Sequence, residues 1–166
     1  MSTIKTNAIQ TTAGKPILNS TGSILQVVST LKTDEFTTTS NAYVDVTGVS
    51  ASITPSSTSS KILIIITIGG CANSGAATES FRVFRGATWI AQPASVAGNG
   101  AGSFVNWSST YAPTVAFNYL DSPGTTSATT YKLQMSVDGG TGYFNRHQGG
   151  TGYNSTSSLT LMEISG

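Results

Sequence analysis

Ile62-Leu63-Ile64-Ile65-Ile66-Thr67-Ile68 is a run of large, mostly β-branched residues whose one hydroxyl, on Thr67, lies near its end. β-Branched side chains are stiff at χ1 and fit a pleated sheet, and the run has the length of a strand. Because it is apolar on both sides, neither face of this strand can be left to water, and a sheet containing it must be covered twice. The expected arrangement is a central strand with the domain core on one side and a subunit contact on the other, since contiguous apolar faces mark interaction surfaces. Ile62, Ile64, Ile66 and Ile68 are the expected contact residues. Leu159, Leu161 and Ile164 of the closing Leu159-Thr160-Leu161-Met162-Glu163-Ile164 segment are expected beside them.

The rest of the chain is built for strands and turns. Ser and Thr make up about a third of it, Gly contributes 18 residues, and charged residues, which include the usual helix formers Glu, Lys and Arg, reach only 9%. The clearest alternation places Tyr131, Leu133, Met135 and Val137 on one face and Lys132, Gln134 and Ser136 on the other, a strand with one wet side. Strands are expected at 24–31, 36–39, 43–54, 61–68, 80–85, 88–92, 104–109, 114–120, 130–137 and 157–164. Asp121-Ser122-Pro123-Gly124 and Val137-Asp138-Gly139-Gly140 supply turn chemistry between them. Many short strands and no helical stripe predict an all-β fold, an antiparallel β-sandwich or a jelly roll. A hydrophobic content of 38% speaks against disorder.

Residues 1–23 are polar, with Ile4, Ile9, Ile17 and Leu18 too far apart for a helix stripe and Gly14-Lys15-Pro16 interrupting them. They are expected to form an extended attachment arm, those four apolar residues making its contacts, because such a segment buries too little surface to order itself alone. Residues 24–166 are expected to form the β-sandwich domain. No stretch resembles a signal peptide, which implies synthesis in the cytoplasm, and no run approaches the roughly 20 apolar residues of a membrane-spanning helix.

Composition also bears on chemistry. Eight scattered basic residues and a net charge of +1 do not form the clustered cationic surface that phosphates require, so no nucleic-acid partner is expected. His147 is the only histidine, and it lies in the polar segment Asn145-Arg146-His147-Gln148-Gly149, which reads as a surface loop. The seven carboxylates are scattered; Asp34-Glu35 reads as a solvated approach to a strand, and the Asp138 segment as a tight turn in preference to a calcium loop. Gly98-Asn99-Gly100-Ala101-Gly102 lacks the Lys-Ser/Thr ending of a phosphate loop. Cys71, the single cysteine, can form no intrachain disulfide and has no basic neighbour in sequence, so inert packing is expected. No catalytic residue, cofactor or metal is expected, and the chain reads as non-enzymatic. Among the aromatic residues, Trp107 is expected in the core, while Trp89, Tyr143 and Tyr153 are candidates for stacking against sugar rings.

The opening Met1-Ser2-Thr3-Ile4-Lys5-Thr6-Asn7-Ala8-Ile9-Gln10-Thr11-Thr12-Ala13-Gly14-Lys15-Pro16-Ile17-Leu18-Asn19-Ser20-Thr21-Gly22-Ser23 resembles the start of virion structural and tail-fibre-like proteins of marine tailed phages. Ser60-Lys61-Ile62-Leu63-Ile64, Thr130-Tyr131-Lys132-Leu133-Gln134, Asn145-Arg146 and Ser158-Leu159-Thr160-Leu161-Met162-Glu163-Ile164 are similar to the same group in the same order. The resemblance implies a jelly-roll-like domain, of the type found in trimeric tumour-necrosis-factor proteins, carried by an N-terminal segment that attaches it to other tail or capsid proteins of the particle. It therefore implies a homotrimer located in the virion, with tail fibre or tail appendage ahead of capsid decoration and a carbohydrate-binding, host-recognition module as the alternative.

Overall fold

The computed structural model describes residues 21–75, 77–94, 102–107, 112–147, 152 and 154–166, with only the backbone of 104–107. Ile4, Ile9, Ile17, Leu18 and Tyr153, and the side chain of Trp107, lie outside the described residues.

The chain forms an antiparallel β-sandwich. Its strands are β1 (Ile24–Lys32), β2 (Phe36–Thr38), β3 (Val44–Ile53), β4 (Lys61–Ile68), β5 (Cys71–Asn73), β6 (Thr78–Arg85), β7 (Thr88–Ile90), β8 (Phe104–Trp107), β9 (Val115–Asp121), β10 (Thr129–Val137), β11 (Gly142–Phe144) and β12 (Ser157–Ile164). One sheet runs β1-β12-β4-β9 and the other β3-β10-β6-β7, with β8 also pairing with β6. β1, β4, β9 and β12 belong to the first sheet while β3, β6, β7 and β10 belong to the second, so the chain passes repeatedly from layer to layer. That is jelly-roll winding: neighbours in space are distant in sequence, and the first and last long strands, β1 and β12, pair with each other.

The core between the layers follows the period-two patterns of the strands. β4 contributes Ile62, Ile64, Ile66 and Ile68, β12 contributes Leu159 and Leu161, β10 contributes Tyr131, Leu133 and Met135, and β6 contributes Phe81 and Val83. In β3 the inward residues are Val46, Val49, Ala51 and Ile53, so the alternation slips once. Gly48 takes up the slip at φ +86°, where the step from Gln134 to Lys132 on β10 spans Asp45 to Ser50 on β3. Such a bulge needs a residue that tolerates left-handed backbone, and glycine does so without a steric cost.

A small third sheet, β2-β11-β5, closes one end of the core with the buried Cys71 and Phe144. The Phe144 ring meets Phe81 at 6.3 Å between centroids. β5 and β11 were not expected as strands. Each is three residues long, too short to show a period, and they form by pairing with each other and with β2: Gly142, Tyr143 and Phe144 stand opposite Asn73, Ala72 and Cys71 on one side and Thr38, Thr37 and Phe36 on the other.

Polar groups tie the layers where the core ends. Asp121 on β9 accepts two hydrogen bonds from Arg85 Nη1 on β6, at 2.9 and 2.8 Å, and one from the Tyr131 hydroxyl on β10, at 2.7 Å. Burial, reinforced by the adjacent carboxylate, pushes the Tyr131 phenol above its ordinary value. At the other end Asn145, buried and at φ +62°, donates to the carbonyls of Lys32 and Asp34 and accepts from the Ser157 hydroxyl. One amide side chain thus joins three separate segments of the chain.

Candidate assembly interface

The inward face of the first sheet is fully occupied by the chain's own core. Ile62, Ile64, Ile66, Ile68, Leu159 and Leu161 are each at most 1% exposed. Their expected role as intermolecular contacts is corrected accordingly: the packing register turns these six residues toward the second sheet of the same chain. Ile164 alone of the expected set lies on the outer face, half-buried.

The other side of the same strands is the open one, and its composition follows from strand register. Val27 on β1 stands opposite Met162 on β12, Met162 opposite Leu63 on β4, and Leu63 opposite Leu120 on β9. An apolar row therefore crosses all four strands at one level. One level down lie Ser29, Thr160, Ile65 and Asn118, and below them Leu31, Ser158, Thr67 and Ala116. Above the apolar row are Ile24, Ile164 and Lys61. Ile24, Val27, Leu31 and Leu120 are 58, 55, 64 and 47% exposed, so the two edge strands present their apolar side chains to solvent. Lys61, at the margin, is the single charged residue among these positions.

The second sheet has a different outer face. On it Lys132 donates to Asp45 Oδ2 at 2.8 Å, and Gln134 to Asp45 Oδ1 at 2.7 Å. The Arg82 guanidinium lies between two aromatic rings, 3.6 Å from the centroid of Tyr43 and 3.8 Å from that of Trp89. The indole N–H of Trp89 donates to Ser103 Oγ at 3.0 Å, which fixes the ring. The ion pair and the stacked aromatic rings are on this side, whereas the positions named on the first sheet's outer face carry only Lys61 and the uncharged polar residues Ser29, Thr160, Asn118, Ser158 and Thr67.

The remaining sequence candidates fall into structural roles. Tyr143 is a β11 residue whose ring carries the Arg146 guanidinium at 4.4 Å, and Arg146 in turn faces Glu35 at 3.5 Å. Tyr143 and Trp89 lie in different sheets, so the structure does not bring them together on one strand surface. Asp34 pairs with Lys32 at 2.9 Å, which lowers its pKa through that hydrogen bond. Asp138 accepts from the backbone N–H of Thr78, a long-range contact that joins the end of β10 to the start of β6. His147 is half-buried just beyond β11. Cys71 is buried, and burial together with the neighbouring Glu79 pushes its thiol above the ordinary value. Among the described residues no group of three or more His, Cys, Asp or Glu side chains is placed to hold a metal ion, and no helix is long and apolar enough to cross a membrane.

Sequence reasoning passed over two buried carboxylates that hold the fold. Asp121 stands in sequence as the first residue of a turn motif, Asp121-Ser122-Pro123-Gly124, which carries no sign of its inter-sheet partners. Glu163 lies in an alternating strand, where its inward position was legible from the period but its partners were not: Gln26 donates to it at 2.6 Å, and both the backbone N–H and the hydroxyl of Ser56 at 2.7 Å. Burial alone would raise the Glu163 pKa, but these donors outweigh it and hold the carboxyl at about 2. No protein-family model matches the chain, and no curated protein matches it.

Proposed function

We propose that this chain is a non-enzymatic structural subunit of the exterior of a tailed-phage particle, a tail fibre or tail appendage ahead of a capsid decoration protein, made in the host cytoplasm and working as a homo-oligomer, most simply a trimer. The observation that carries the proposal is the contrast between the two outer faces of the sandwich: one has an apolar row across four strands and a single charged residue, Lys61, at its margin, while the other is charged and aromatic. A subunit with one face suited to burial and one suited to water is a part to be assembled.

The described segments that resemble phage structural proteins support the same reading, because residues in them perform packing tasks. Ile62 and Ile64 fill the core, Tyr131 ties the layers through Asp121, Asn145 joins three segments, and Glu163 anchors β12. These features hold a fold together from packing and hydrogen bonds, as suits a part that must persist outside a cell. The N-terminal residues 1–23 are proposed to attach the subunit to other tail or capsid proteins. Immunogold labelling and mass spectrometry of purified particles test the proposal. The protein is expected in particles when intact and missing from them when residues 1–23 are deleted; its absence from particles altogether would refute the proposal.

A second reading, recognition of a host glycan, is favoured by the fixed Trp89 ring beside Arg82, Gln134 and Asp45 on the polar face. Sugar rings stack on such aromatics while their hydroxyls take hydrogen bonds from neighbouring polar groups. Under this reading a glycan array gives a signal that is lost in Trp89→Ala. A blank array with the intact protein leaves the structural reading alone.

A further inference from the structure

We infer that the pocket between the start of β1, the serine-rich β3–β4 loop and the end of β12 is a binding site for a primary ammonium group carried on a short aliphatic stem. The assignment does not depend on the assembly reading above.

Ser56, Ser57, Ser59 and Ser60 of the loop, with Leu25 and Ser165, line a pocket of about 410 Å³. Serines alone do not make a site, and the deciding group is Ser60. It is 1% exposed, and its Oγ is buried with no hydrogen-bond partner. Buried hydroxyls are nearly always paired, because one left alone has lost its water and gained nothing in return. The backbone N–H of Ser60 already donates to the Ser57 carbonyl at 3.2 Å, so it is the side chain that lacks a partner.

The second observation is charge. Glu163 is wholly buried beside this loop, and its carboxyl is held at about 2, ionised at any ordinary pH. The Ser60 hydroxyl stands near enough to contribute to that effect without completing a hydrogen bond. The donors that do reach the carboxylate, from Gln26 and Ser56, are neutral, and none of the ion pairs among the described residues includes Glu163. Lys61 follows Ser60 directly, but its side chain is exposed on the outer face of the sheet. A buried negative charge without a cationic partner acts strongly on adjoining space, because little water screens it there. The pocket therefore favours a cation.

The inventory of donors and acceptors narrows the cation. Both hydrogens of Gln26 Nε2 are committed, to the Thr54 carbonyl at 2.7 Å and to Glu163 at 2.6 Å, and Ser56 gives its N–H and its hydroxyl to Glu163. Acceptors remain open. The Ser57 and Ser59 hydroxyls, 2.9 Å apart, share one hydrogen and keep lone pairs for a further donor, and Ser60 Oγ accepts from nothing. A hard metal ion wants six or more oxygen ligands, and the carboxylate here is already covered by three donors. A quaternary ammonium is held by aromatic rings, and none of the lining residues among those described is aromatic. A primary ammonium brings one positive charge and three N–H donors, which match hydroxyl oxygens set over a carboxylate. Leu25 supplies an apolar wall for the stem, as aliphatic stems of charged groups require.

Titration of the full chain with n-butylammonium chloride at constant ionic strength, followed by amide NMR, tests the inference. Saturable shifts are expected at Leu25, Ser165 and the loop from Ser56 to Ser60, with an affinity on the order of millimolar for so small a probe. Nα-acetyl-lysine methylamide separates two sources of the same group: binding as tight as butylammonium identifies a lysine side chain as an acceptable carrier, and weaker binding identifies a free small amine. Ser60→Ala is expected to weaken binding by about tenfold while leaving the thermal melt no lower than that of the parent, since the hydroxyl it removes has no partner to lose. Glu163→Gln removes the charge and is expected to weaken binding by about tenfold or more, with folding checked by circular dichroism. Ser60→Ala keeps the test decisive should Glu163→Gln fail to fold. Absence of saturable shifts would overturn the inference, as would the same shifts from sodium or tetramethylammonium chloride, or a Ser60→Ala protein that binds as the parent does.

Discussion

Replacing Asp121 with Ala should unfasten the two layers at their β9 end, and the cost can be worked from the contacts. Asp121 is 5% exposed and accepts from both Arg85 and Tyr131. Without it, the Tyr131 hydroxyl is left buried with no acceptor, which costs about 1–3 kcal/mol. The Arg85 side chain is 29% exposed and also donates to the Ser122 carbonyl, so water and that carbonyl recover most of what it loses, and its share is about 1 kcal/mol. The expected loss is therefore about 3 kcal/mol in urea denaturation at fixed protein concentration, a large part of a typical domain's stability. Tyr131→Phe removes the stranded hydroxyl and keeps the Arg85 pair, so it should cost only about 1 kcal/mol. In a Tyr131→Phe, Asp121→Ala cycle the double variant should be more stable than the sum of the single losses by about 1 kcal/mol or more, because with Phe at 131 the loss of Asp121 leaves no buried hydroxyl without an acceptor. Strict additivity, or a loss under about 1 kcal/mol for Asp121→Ala, would refute the claim that this carboxylate joins the sheets.

Other consequences follow from single residues. The folded-state pKa of Glu163, about 2, lies below its ordinary value of 4.5, so its contribution is fully present above about pH 4.5 and is lost as pH falls toward 2. That contribution is on the order of 3 kcal/mol, and Glu163→Gln should flatten the acid limb of a thermal-melt series; an unchanged limb would contradict the linkage. At Gly48 a Cβ would meet nothing closer than 3.7 Å, so Gly48→Ala should cost about 1 kcal/mol from its φ of +86° alone, read by denaturant midpoint, and a neutral result would argue against the bulge. Asn145→Ala strands the Lys32 and Asp34 carbonyls and the Ser157 hydroxyl, and should lower stability by about 2–4 kcal/mol in the same assay. Cys71 should resist thiol reagents in the native protein and react promptly in denaturant; rapid native labelling would contradict its burial.

Much of the β-architecture was legible in the amino-acid sequence because a strand with one buried face writes its pattern locally. Residues 61–68 and 157–164 form strands with the bounds expected of them, and the alternation of Tyr131, Leu133 and Met135 points inward as read. Local pattern could not choose a side for β4, since Ile62, Ile64, Ile66 and Ile68 are matched across the strand by Leu63 and Ile65. Packing of the second sheet made that choice, and it moved the open face from the isoleucines to Val27, Met162, Leu63 and Leu120. β5 and β11 likewise exist only because distant segments pair, and Asp121 became an inter-sheet tie only when β6 and β10 folded over β9. Side-chain periodicity is a property of a few consecutive residues, so sequence alone determined where the long strands form and that β4 is apolar on both faces. Which face meets the core, and which carboxylate meets which donor, depends on contacts between residues dozens of positions apart, and only the tertiary structure decided those.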